Sequence, residues 1–160
     1  MPLERLQHAL IQTIDLPATV RWWHDVLGLQ PGPHPDFGFP VEWLYLDGED
    51  VLHLTQGGAG VSANRQAYLG QQSQAETGTG VIDHLAFRAS DLPGVLARLR
   101  AHGVEAKARR VNAQGLFQLF LFDPNGVKVE LNFEAAEADA HGITPELMAS
   151  ELPRGSEGQG

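Results

Sequence analysis

Apolar positions along the chain follow two kinds of spacing, and these succeed one another in a fixed order. Leu6, His8 and Leu10 share one parity, as do Ile82, His84 and Ala86, and a period of two predicts strands. Helical spacing follows each of them, over Ala18 to Leu27 and Gly94 to His102. Both helices are introduced by the same tripeptide, Asp15-Leu16-Pro17 and Asp91-Leu92-Pro93. The aspartate suits an N-cap and the proline an opening turn. Both helical patterns stop at a glycine, Gly28 and Gly103. Further strands are expected near Gln30–Pro33, Glu42–Asp47 and Asp50–Gln56, and then near Glu105–Arg110, Leu116–Phe122 and Val127–Phe133. Asp47-Gly48 and Asp123-Pro124-Asn125-Gly126 are turn sequences between the last two strands of each set.

The order is β-α-β-β-β, twice. Each Asp-Leu-Pro begins seven residues after a histidine, His8 or His84, at a constant offset of 84 − 8, or 76 positions. Strand, cap, helix and stop recurring in one order mark an internal repeat. The expected organisation is a first βαβββ module over 3–56, a linker or flap over 57–80, a second module over 81–134 and a tail over 135–160. The tail carries a short helical pattern from Thr144-Pro145 to Leu152, and Arg154–Gly160 reads as disordered. The fold class is α+β, with two βαβββ modules that an approximate twofold axis can relate.

Strand parity and the repeat together select candidate ligands. His8 and His84 are repeat equivalents; His53 and Glu130 fall within one residue of equivalence. A glutamate inside Val127-Lys128-Val129-Glu130-Leu131-Asn132-Phe133 is costly if it faces inward without a partner. Three imidazoles and one carboxylate suit a single divalent Zn, Ni, Fe(II), Co or Mn better than Ca or Mg. A strand histidine taken alone is more often packed or solvent-facing, and it is the pairing by repeat that singles these out. His24, His34, His102 and His141 have no repeat partner and read as surface or helix-end residues. Trp43 and Tyr45 share a face of the third strand; Gln118 and Phe120 share one on the seventh. These four are candidate walls of a pocket for an apolar or aromatic substrate, and the alternative for Trp43 and Tyr45 is core packing. Arg65 and Tyr68 either close over a ligand or lie in a solvated loop.

Composition removes several function classes. The 160 residues carry 11 Lys and Arg against 20 Asp and Glu, a net charge of −9, with no basic cluster beyond Lys107-Ala108-Arg109-Arg110. Nucleic acid and anionic membrane are therefore poor partners. There is no cysteine, which excludes disulfides, thiolate metal sites and a cysteine nucleophile. No apolar run approaches the roughly 18 residues of a membrane helix. The opening Met1-Pro2-Leu3-Glu4-Arg5 lacks the features of an export signal, so a cytoplasmic location is expected.

Three segments carry a family resemblance: His8 with Asp15-Leu16-Pro17, Trp22-Trp23-His24-Asp25-Val26-Leu27-Gly28-Leu29, and Phe122-Asp123-Pro124-Asn125-Gly126-Val127-Lys128-Val129-Glu130. They resemble the vicinal-oxygen-chelate superfamily of glyoxalase I, extradiol ring-cleaving dioxygenases, methylmalonyl-CoA epimerase, fosfomycin-resistance enzymes and bleomycin-binding proteins. The resemblance spans about residues 3–134. It implies paired βαβββ modules in a pseudo-twofold arrangement forming a curved mixed sheet around a metal cleft, a small-molecule substrate, a homodimer, and a metal that chelates two neighbouring substrate oxygens and stabilises an enediolate-type intermediate. Glu130 would be the catalytic proton carrier of a glyoxalase I-like lyase or isomerase. His53 stands where glyoxalase I has a glutamate. The alternatives implied are an Fe(II) ring-cleaving dioxygenase using His8, His84 and Glu130, and a bleomycin-resistance-like binding protein. The dioxygenases carry a tyrosine at the place of Phe120.

Overall fold

The two expected helix starts form as local chemistry dictates. In the computed structural model, which describes residues 5–58, 61–70, 75–80 and 82–148, Asp15 Oδ1 accepts from Ala18 N at 3.0 Å and Asp91 Oδ1 from Gly94 N at 3.1 Å. These caps open α1 (Leu16–Asp25) and α3 (Leu92–Ala101). Gly28 and Gly103 follow the helices with φ of 82° and 64°, the left-handed region in which a glycine stop carries no Cβ penalty.

The described residues divide into two compact units. The first runs up to Asp83 and includes Asp123–Val127; the second holds His84–Phe122 and the chain from Lys128 on. In the first unit, β1 (Ala9–Thr13), β2 (Gln30–Gly32), β3 (Val41–Leu46) and β4 (Glu49–Gln56) form a sheet in the order β1-β4-β3-β2. β1 runs parallel to β4, and the other neighbours are antiparallel. Asp47 and Gly48, with φ of 51° and 85°, make the two-residue turn from β3 to β4. α1 packs on β2, β3 and β4, and Trp23, Leu44, Leu52 and Leu54 are fully buried.

The second unit repeats the order. β5 (Leu85–Arg88), β6 (Lys107–Val111), β7 (Leu116–Phe122) and β8 (Lys128–Glu134) pair as β5-β8-β7-β6, with β5 parallel to β8. Strict alternation buries Phe117, Leu119 and Leu121 on β7 and Val129, Leu131 and Phe133 on β8. Each unit is thus a βαβββ module, the α+β architecture expected from the repeat.

Other segments differ from their sequence reading. Residues 57–80, read as a linker or flap, contain α2 (Ala63–Leu69), capped by Ser62 Oγ accepting from Arg65 N at 3.1 Å. The tail helix lies earlier than expected, at α4 (Ala135–Ala140). Thr144–Glu146 are not helical, and Leu147–Met148 form β9, a fifth strand beside β6. An open edge of β6 offers backbone partners there, and Glu146 N donates to Ala108 O at 3.1 Å. Leu152 and Arg154–Gly160 lie outside the described residues. β1 and β5 begin at Ala9 and Leu85, so His8 and His84 each stand one residue before a strand rather than within it. For β1 the reason is that the next partner on β4 would be Val51, which leaves the regular ladder. No helix among the described residues is long and apolar enough to cross a membrane.

In the turn Asp123-Pro124-Asn125-Gly126, which belongs to the first unit, Asp123 and Asn125 are buried and Pro124 is exposed. Asp123 Oδ1 accepts from the backbone N–H groups of Asn125 (2.8 Å) and Val127 (2.9 Å), and its Oδ2 from the indole N–H of Trp23 at 3.1 Å. Asn125 accepts from Thr13 Oγ1 at 2.7 Å and donates to Thr19 Oγ1 at 3.0 Å. The buried side-chain atoms of Asp123 and Asn125 thus find partners, as buried polar groups generally do.

Candidate metal centre

One irregularity shapes the first unit's site. Leu44 pairs with Leu52 and Tyr45 with Asp50, so Val51 has no partner on β3. This is a β-bulge, with two residues of one strand opposing one of the other. In a regular strand Asp50 and His53 would face opposite sides of the sheet, since they are three apart. The extra residue restores them to one side, and His53 Nε2 meets Asp50 Oδ2 at 2.8 Å. A carboxylate can only accept, so the imidazole donates.

His53 is buried between two rings. His8 stacks on it at 3.8 Å between centroids and 17° between planes; Trp43 stacks at 4.1 Å and 5°. Burial holds the His53 imidazole below its ordinary pKa, Asp50 pulls it up through the hydrogen bond, and the neighbouring His8 pushes it down. The net direction favours the neutral ring, the form that binds metals. The hydrogen bond from His53 holds the Asp50 carboxyl below the usual carboxylate range.

The donor set fits a divalent metal. His8, Asp50 and His53 each present a ligand atom, all within 4.8 Å of one another. His8 Nδ1 is buried and has no hydrogen-bond partner among the described residues. A buried polar atom left without a partner is costly, and a cation would satisfy it.

These groups line a cavity of about 310 Å³ whose other walls include Phe37, Phe39, Trp43, Val41 and Tyr68. Tyr68 comes from α2 and lies 5.2 Å from Phe37 between ring centroids. α2 is held down by Arg65, 3% exposed, whose Nη2 donates to Gln12 Oε1 at 3.1 Å, and by Asn64, which donates to Gly38 O at 3.0 Å. Tyr45 does not line this cavity. Its ring covers Gly32, where an added Cβ would come within 2.6 Å of it, and its hydroxyl donates to Pro33 O at 2.6 Å.

In the second unit, His84 and Glu130 meet directly, Nε2 to Oε2 at 2.9 Å. Glu130 is 8% exposed, and its other oxygen accepts from Gln118 Nε2 (2.9 Å) and Asn132 Nδ2 (2.7 Å). Gln118 Nε2 also donates to Asn132 Oδ1 at 3.0 Å. Phe120, cross-strand partner of Glu130, meets the His84 ring edge-on at 6.1 Å. The buried carboxyl group thus has a partner at each oxygen, which offsets the cost of taking it from water.

The repeat thus collects His8 with His53 in one unit and His84 with Glu130 in the other. Gln118 and Phe120 lie beside Glu130, and Trp43 beside His53. Asp50 was missed by sequence reasoning, because strict alternation places it opposite His53. The aromatic residues of 33–40 were missed as well, since that segment has no periodic pattern; Tyr68 was among the expected candidates, but not the helix α2 that carries it.

Comparison with known proteins bears on this arrangement. Residues 5–131 match the family model described as Glyoxalase/Bleomycin resistance protein/Dioxygenase superfamily. No match is found among curated proteins. Among solved structures, a lactoylglutathione lyase from Agrobacterium tumefaciens is similar with a TM-score of 0.61 at 19% identity, covering 83% of this chain and 96% of that one. A fosfomycin resistance protein, FosX, from Listeria monocytogenes gives 0.59 at 17%, with 82% and 93% covered. An antibiotic binding protein from Streptomyces sp. gives 0.59 at 18%, with 84% and 98% covered. At these identities the likeness is one of fold.

Proposed function

The chain belongs to the Glyoxalase/Bleomycin resistance protein/Dioxygenase superfamily, and from that premise we propose that it is a metal-dependent lyase or isomerase of glyoxalase I type. Its substrate is a small molecule with two neighbouring oxygens and an apolar or aromatic body. His8, His53, His84 and Glu130 are the metal ligands, and Glu130 is also the proton carrier. A divalent ion, when bound, supplies Lewis-acid polarisation of the substrate oxygens.

The observation that carries this reading is the setting of Glu130. One oxygen is fixed by the amides of Gln118 and Asn132, and the other meets His84. A carboxylate held at one oxygen and engaged by a titratable imidazole at the other is oriented for proton transfer. The aromatic lining of the first unit's cavity supports a flat apolar body, and its size lies at the lower end of small-molecule pockets.

The test is solvent-proton exchange at the hydroxyl-bearing carbon next to the carbonyl, followed by NMR in deuterated water across a panel of hydroxycarbonyl compounds. Wild-type protein with bound metal exchanges the proton, and Glu130→Gln retains some metal but loses exchange. Undiminished exchange in that variant removes the assigned role. Oxygen uptake with catechols would instead identify a ring-cleaving dioxygenase. Members of the superfamily commonly form dimers, and a C2 homodimer is proposed here on that ground.

A second reading rests on the aromatic cavity itself: a binding protein without chemistry. It predicts tight binding of an aromatic ligand that survives both chelator treatment and His84→Ala.

A further inference from the structure

The cavity of the first unit has a charge pattern that the proposed function leaves unused. Phe37, Phe39, Trp43 and Tyr68 form one continuous aromatic wall. Between ring centroids, Phe37 lies 5.7 Å from Phe39, 6.2 Å from Trp43 and 5.2 Å from Tyr68. Asp50 supplies the one carboxylate of the lining among the described residues, and no Lys or Arg is part of that lining. We propose that this cavity selects an organic cation, a protonated or quaternary amine on an apolar body, with the nitrogen against the aromatic wall and Asp50 as its counter-charge. The inference rests on the reading above only in taking this cavity as the ligand site. It adds the charge of the ligand, and it uses neither Glu130 nor the metal.

Two independent features have the same sign. The face of an aromatic ring is electron-rich, and an ammonium within roughly 6 Å of a ring centroid is attracted to it. Asp50 adds a full negative charge. No Lys or Arg pairs with it among the described residues; its partner is His53, which donates to Oδ2 at 2.8 Å. A hydrogen bond from a neutral imidazole leaves that charge in place. The Asp50 side chain is 26% exposed, so water screens it only in part. Arg65, on α2, is turned to Gln12 Oε1 at 3.1 Å and is not part of the lining. An anionic ligand would meet Asp50 and the ring faces with no cation to offset them. A neutral ligand would fill the wall and leave Asp50 without a counter-charge.

Local structure explains why charge and wall adjoin. The bulge at Val51 turns Asp50 to the side of His53, and His53 is itself stacked on Trp43. At the other end of the wall, Tyr68 is 66% exposed, so its ring serves the cavity rather than the core.

The experiment uses the full chain as purified and reads binding, not turnover. The probes are choline and its uncharged carbon isostere, in which a tert-butyl group replaces trimethylammonium. Each is titrated at one ionic strength, and NMR follows the Trp43 indole and Tyr68 ring signals. Choline should shift both signals and bind about tenfold more tightly than the isostere. Asp50→Asn should remove most of that preference by weakening choline alone. Tyr68→Leu keeps an apolar side chain at an exposed position but loses a ring face, and it too should weaken choline and spare the isostere. General attraction of a cation to an acidic surface would survive both substitutions. Equal affinity for the two probes, no shift at Trp43 from choline, or a preference kept in full by Tyr68→Leu and by folded Asp50→Asn overturns the inference. Each of these outcomes leaves the proton-exchange role of Glu130 standing. Loss of that role with the choline preference intact overturns the proposed function alone.

Discussion

Trp43 and His53 are directly paired across β3 and β4, and their rings lie flat on one another, 4.1 Å apart and within 5° of parallel. The indole therefore forms both a wall of the cavity and the support of a candidate ligand. Trp43→Ala removes a half-buried ring and the stack, and should destabilise the protein by about 2 kcal/mol. Metal affinity should fall too, because His53 is then held on one side only. Trp43→Phe should recover most of both. Urea denaturation and metal titration of the two variants check this.

Gln118 tests how far the environment of Glu130 matters. Its amide is one of two that fix the same carboxylate oxygen. Gln118→Ala should lower metal affinity or proton exchange by about 10- to 100-fold, as loss of an orienting partner does. The melting curve should change by no more than about 1 kcal/mol. A variant with native affinity and native exchange would show that Asn132 suffices.

Asp123 should be the most sensitive stability position outside the core. It is 5% exposed and accepts from the Trp23 indole and two backbone amides. Asp123→Ala leaves those donors buried without partners, and a loss of about 3 kcal/mol or more is expected. Asp123→Asn should be milder but still costly, since one amide hydrogen pair must then face a donor. Thermal and urea unfolding of both variants provide the measurement.

The pair Arg110 and Asp139 gives a pH dependence with a definite sign. Two hydrogen bonds, of 2.6 and 3.0 Å, join β6 to α4, and they hold the Asp139 carboxyl below its usual 3.8. A group whose folded pKa is depressed contributes stability above its unfolded pKa and loses it as pH falls through the folded value. Wild type should therefore melt slightly higher than Asp139→Asn at neutral pH, and the gap should close well below pH 3.8. The pair is solvent-exposed, so the gap is small. A gap that persists in acid would assign the effect to something other than this carboxylate.

Much of the fold was legible because it is local. Asp15 and Asp91 cap helices three residues away, Gly28 and Gly103 stop them, and Asp47-Gly48 turns a hairpin, all within a few bonds of the residues responsible. The repeat extended that legibility to pairs of positions: it grouped His8 with His84 and His53 with Glu130 without any structure. α4 is also locally encoded, since Ala135-Ala136-Glu137-Ala138-Asp139-Ala140 is rich in helix formers, although helical spacing points to the later segment from Thr144.

What the sequence determined by itself was the order of elements, their caps and turns, and the residue types able to hold a metal. Tertiary structure alone decided the partners. Gly32 lets Tyr45 lie across β2 and away from the cavity. β6 turns the tail into a strand, and Gln12 anchors a buried Arg65 under α2. Above all, the pairing of β4 with β3 places the bulge at Val51 and so brings Asp50 round to His53. A bulge is a property of two strands in register, and no periodicity along one strand encodes it.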